Sequence, residues 1–97
     1  MSDDALQRTF RPSPDVLARS VGDELVLLDL ASEQYFSLDP VGAAMWEVVV
    51  EAPTLVEARD ALLQDWEVPA DELAADLLEL CQDLQGRGLL VEEQPGR

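Results

Sequence analysis

Residues 24–46, ELVLLDLASEQYFSLDPVGAAMW, read as a strand, a tight turn, a second strand and a helix that follows with no linker. Residues 24–30 are rich in Val and Leu and predict a central strand. Ala31, Ser32 and Glu33 make a short hairpin connection, and Gln34–Leu38 predicts the next strand. Asp39 is a natural N-cap, and Pro40 suits the first helical position, where its missing N–H costs nothing. Gln34–Leu38 is thereby pinned to a helix at one end and is a candidate for a strand with one unpaired side.

Upstream, Val16–Val21 predicts a strand and Gly22-Asp23 a turn, which completes a three-stranded antiparallel meander. Residues 1–13 are polar, with Pro12 inside them and Pro14 just beyond, and read as a flexible lead-in. Downstream the pattern is helical. Residues 40–52 place Val41, Ala44, Met45, Val48 and Val49 on one face, with Trp46 beside that stripe. Pro53 ends this helix. Thr54 with Glu57 forms a capping box for a second helix, which runs to about Trp66 with Leu55, Ala58, Leu62 and Leu63 inward. Val68-Pro69 breaks it. A third helix covers about residues 70–85, with a stripe of Leu73, Leu77, Leu80, Cys81 and Leu84, widened by Ala74 and Leu78. Gly86 or Gly88 stops it. Residues 89–91 predict a short extended segment packed on the body, and residues 92–97 a flexible tail. The expected architecture is α+β, βββααα, in one domain over residues 14–91.

With 97 residues the chain builds one modest core, and 47% hydrophobic residues favour a folded chain. Twenty-one acidic residues against 6 basic ones give a net charge of −15. That charge repels nucleic acid and anionic membrane, so neither is expected as a partner. The single cysteine permits no internal disulfide and suits a reducing cytoplasm, the expected location. The N-terminus has no apolar signal region, and no apolar run is long enough to span a bilayer.

The residues for common chemistry are missing. There is no histidine, which removes Ser-His-Asp and Cys-His catalysis and the commonest transition-metal ligand. One cysteine cannot build a zinc site, and no calcium-loop or phosphate-loop pattern occurs. Asp76 with Glu79, and Glu79 with Asp83, imitate catalytic carboxylate pairs but read as a solvated helix face. Cys81 sits in an apolar stripe with no basic neighbour and reads as a small buried hydrophobe. Trp46 and Trp66 read as core anchors. No enzyme, cofactor or metal is expected.

What remains is surface. Gln34–Leu38 contains no Pro, Gly or charge, so nothing in it resists strand pairing. Composition leaves two readings of its edge: covered by a helix or tail, or open to an extended peptide.

The run ELVLLDLASEQYFSLDPVGAAMWEVV, with WEVPADELAADLLELCQDLQGRGLLVEE, resembles the PqqD-like family of RiPP recognition elements. These are small domains that bind the leader of ribosomally made precursor peptides. A free-standing chain with YFSL and GAAMW is most similar to the leader-binding half of split lasso-peptide systems, whose partner is a cysteine protease, with a cyclase downstream. A PqqD-type chaperone for a radical-SAM enzyme is the related alternative. Two departures stand out: EVVVEAP where a Gly-containing turn is common, and the strongly acidic charge.

The resemblance implies a winged helix-turn-helix-like body that takes the leader as an added strand. The implied edge is Gln34, Tyr35, Phe36, Ser37 and Leu38. The implied wall on the third helix is Asp76, Leu77, Leu80, Cys81 and Leu84, with Val26 and Leu28 as floor. Two other classes share the architecture. A winged-helix DNA regulator is opposed by Asp71, Glu72, Asp76, Glu79 and Asp83 on the third helix. A dimerisation module would pair third strands between two chains.

Overall fold

The computed structural model describes residues 3–93. A short 3-10 helix at Asp3–Gln7 leads into β1 (Thr9–Pro12), β2 (Val16–Val21), β3 (Glu24–Asp29) and β4 (Gln34–Leu38). Helices α1 (Pro40–Glu51), α2 (Leu55–Leu62) and α3 (Ala70–Gly86) follow, and β5 (Leu90–Glu93) closes the chain. The mixed α+β class is as expected.

The expected meander is β2-β3-β4, antiparallel throughout. Gly22, at φ 63, makes the first turn, and Glu33, at φ 62, the second. Register fixes the two faces. Leu25 lies opposite Leu38 and Leu27 opposite Phe36, with Leu25, Leu27 and Leu38 buried. On the other face Leu17, Leu28 and Tyr35 form one cross-strand row, and Arg19, Val26 and Ser37 the next.

The sequence reading is corrected at both ends. β1 and β5 form a second, two-stranded antiparallel sheet, with Phe10 opposite Glu92 and Pro12 opposite Leu90. The expected flexible lead-in is therefore structured from residue 3 onward. Its apolar residues explain why: Leu6 and Phe10 are in the core at 3% and 1% exposure. Arg8 donates two hydrogen bonds to Glu92, at 2.7 and 3.1 Å, and lies over the Phe10 ring. Arg11 donates to the carbonyls of Val50 and Ala52, which capping would otherwise leave free at the end of α1. Glu92 and Glu93, expected in the tail, belong to β5; the rest of that tail, residues 94–97, lies outside the described residues.

The caps act as their sequences imply. Asp39 accepts from the Gly42 N–H at 2.8 Å. Thr54 accepts from the Glu57 N–H at 3.5 Å, while its hydroxyl donates to the Glu57 carboxylate at 3.3 Å. α3 ends in a Schellman motif: the Leu89 N–H reaches Leu84 O at 2.9 Å and the Gly88 N–H reaches Gln85 O at 3.0 Å. Gly88, at φ 78, is the residue that permits it.

Two helix faces are rotated from expectation. α1 buries Ala43, Met45, Trp46 and Val49, and Val41 is exposed. The large indole of Trp46 takes the inward place, since it removes the most apolar area from water. α3 buries Leu73, Ala74, Leu77, Cys81 and Leu84, and Leu80 is only half-buried. Trp66 is half-buried against the core. Among the described residues no helix is long and apolar enough to cross a membrane.

Candidate functional site

β4 pairs with β3 on one side only, and none of the described residues offers its backbone to the other side. The open edge is flanked by α3. The Arg87 guanidinium, just past the end of α3, lies 4.4 Å from the centre of the Phe36 ring on β4. At its other end α3 brings Leu73 and Asp76 beside Val41 and Met45 of α1, the helix that continues β4. Between these ends the two elements have separate neighbours: α3 packs on α2, β5 and the N-terminal 3-10 helix, and β4 on β3 and α1. The surface between the β4 edge and α3, from Arg87 over Phe36 to Asp76 beside Val41, is the candidate channel.

Each expected site residue has a definite place. Gln34, Tyr35 and Ser37 are exposed on β4, Phe36 is half-buried under Arg87, and Leu38 is buried. On α3, Asp76 is exposed and Leu80 half-buried, and both border the shallow surface that also includes Glu79, Gln82 and Asp83. Leu77, Cys81 and Leu84 are 0% exposed. They face the core and back the wall from behind rather than lining it. Val26 and Leu28 sit on the sheet face turned away from the helices, where they line a hollow with Leu17, Arg19 and Tyr35. Strand parity sends them there: their neighbours Leu25 and Leu27 take the core side.

The geometry adds residues that sequence reasoning missed. A small pocket of about 140 Å³ lies between the β3–β4 turn and the end of α3, lined by Asp29, Ser32, Gln34, Phe36, Arg87 and Leu89 among others. Gly88 was the signal available for Arg87, because a Schellman turn fixes the direction of the residue before it.

Burial and ion pairing perturb Cys81 and Glu92. Burial pushes the Cys81 thiol up to about 12, so it remains protonated and unreactive at neutral pH. The hydrogen bond from Arg8 holds Glu92 below the usual glutamate range, a structural ion pair away from the channel. The described residues contain no cluster of His, Cys, Asp or Glu able to hold a metal. Asp83 pairs with Arg87 at 3.3 Å, while neither Asp76 nor Glu79 has an ion-pair partner among the described residues.

The family comparisons agree with this architecture. The model of the family described as coenzyme PQQ synthesis protein D (PqqD) matches residues 24–90. This chain belongs to the PqqD family, as the YFSLDPVGAAMW passage and the α3 sequence implied, and is a PqqD-like RiPP recognition element. Among solved structures it is similar to TbiB1 in complex with the TbiA(beta) leader peptide, at 30% identity and a TM-score of 0.78, over 90% of this chain and 99% of that one. It also shares its fold with a lasso peptide synthetase B1 complexed with the leader peptide, at 22% identity and a TM-score of 0.77, over 84% of this chain and 96% of that one. No curated protein sequence matches the chain.

Proposed function

We propose that this chain is a non-catalytic binder of the leader segment of a ribosomally made precursor peptide. The leader adds as a strand to the open edge of β4 and lies in the channel against α3. Backbone hydrogen bonds set its register, and the α3 wall around Leu80 selects its side chains. The bound precursor is then presented to a leader-cleaving cysteine protease and a cyclase, as in lasso-peptide biosynthesis. The observation that carries this reading is the uncharged, unpaired edge of β4 beside α3. The similarity to a protein solved with a leader peptide supports it.

Exposed Asp76 and Glu79 suit a leader that carries Lys or Arg, with more effect on encounter than on final affinity. Isothermal titration with the leader encoded beside this gene tests the reading. Micromolar or tighter binding is expected; no heat at high micromolar concentration would sink it. The family description favours one second reading, a peptide chaperone for a radical-SAM enzyme. The genes next to this one separate the two: a protease and an asparagine-synthetase-like cyclase for the first, a radical-SAM enzyme for the second.

A further inference from the structure

At the α1 end of the channel is a cleft of about 280 Å³ between Val41, Met45, Trp66, Val68 and Leu73. It is apolar, and Glu72 and Asp76 stand on its rim. Val41 and Val68 remain 54% and 43% exposed, so part of its wall faces water without a partner. Apolar surface held open this way usually marks a binding site. Asp76 borders both the cleft and the Leu80 surface, so the two adjoin along α3.

We propose that this cleft is a specificity pocket that seats one bulky apolar side chain of the bound peptide, with a Lys or Arg next to it meeting Glu72 and Asp76. The proposal rests on the strand-addition reading and names what the channel selects beyond the backbone. The lining favours a side chain over a small metabolite, whose pockets carry several orienting polar groups, because here the only charged groups are the Glu72 and Asp76 carboxylates. Charge opposes a second copy of this chain, since each carries −15 and the rim is acidic. Charge also supplies the complementarity: no arginine pairs with Glu72 or Asp76 among the described residues, so the cation comes from the peptide.

A randomised peptide display library selected on the full chain provides the probe. Winning sequences are synthesised and titrated by fluorescence against wild type, Val41→Asp and Val68→Asp. Both positions are exposed, and an acid in the first turn of α1 suits the helix dipole, so folding is retained and circular dichroism verifies it. Enriched peptides should share an aromatic or large aliphatic residue beside Lys or Arg. Either variant should weaken them by roughly tenfold or more. Backbone N-methylation of the same peptides tests strand addition separately. Affinity that falls with N-methylation but is equal in wild type and both variants leaves strand addition standing and overturns the pocket. So does a set of winners without the apolar–basic pairing. Loss in the variants with no effect of N-methylation keeps the pocket and overturns strand addition, and a selection that enriches nothing contradicts both.

Discussion

The sheet has two free edges, and they differ. β2 packs mainly on β3; apart from Val16, which touches the core, its residues are exposed on both faces. It carries Arg19 at mid-strand, the kind of charge that blunts an edge. β4 is uncharged, buries Leu38, half-buries Phe36, runs directly into α1 and has Arg87 of the α3 terminus over it. Unpaired backbone alone is common to both. What sets β4 apart is the α3 terminus beside it, where Arg87 lies over Phe36, so a peptide added to this edge would meet side chains as well as backbone.

The largest effect should separate the two strands by stability. Leu38→Ala on β4 removes a side chain only 5% exposed and should cost about 2–4 kcal/mol in urea unfolding. Leu17→Ala on β2, 46% exposed, should stay within about 0.5 kcal/mol. Equal costs would mean that β2 is anchored as firmly as β4.

Binding should separate them next. Leu80→Asp puts a carboxylate into the channel wall and should lower leader affinity by roughly a hundredfold, ~2.7 kcal/mol, without unfolding the domain. Ser20→Asp on exposed β2 should leave affinity unchanged. If Leu80→Asp binds normally, the leader does not use the α3 wall. A smaller loss, about 0.5–1 kcal/mol, is expected for Arg87→Ala, which removes the cation from the Phe36 ring.

Much of this fold was legible from local signals. Asp39-Pro40 and Thr54 with Glu57 fixed helix ends because each acts on backbone groups within a few residues, and the end of α3 was narrowed to Gly86 or Gly88, of which Gly88 takes the positive φ. The β1–β5 sheet was not legible, since it joins residues some eighty positions apart and Pro12 makes the segment read as a loop. Leu6 and Phe10, apolar residues in a polar stretch, were the signal present. The candidate edge Gln34–Leu38 was readable from composition and connection. The α3 wall was only half readable. A helix with an apolar band as wide as Leu73 to Leu84 has two flanks, and only packing decides that Leu77, Cys81 and Leu84 turn inward while Leu80 remains at the surface. The side taken by Val26 and Leu28 was unreadable for a related reason: alternation separates two faces but does not say which of two apolar faces the helices will cover.

The clasp at the chain ends gives the smallest prediction. Glu92 titrates below its ordinary 4.5 because Arg8 donates to its ionised form. A lowered folded-state pKa contributes stability above the unfolded value, and that contribution is lost as pH falls through the folded value. Glu92→Gln should therefore lower the Tm at pH 7, with the deficit shrinking below about pH 4.5. A deficit that persists in acid would assign the effect to packing. Neither edge should change its behaviour in this variant.

Amide hydrogen exchange with and without the cognate leader tests the difference between the edges most directly. Added leader should slow exchange of the outward-facing amides in Gln34–Leu38 and leave those of Val16–Val21 unchanged. Protection that appears on β2, or a bound leader that slows no amide of β4, would contradict the account.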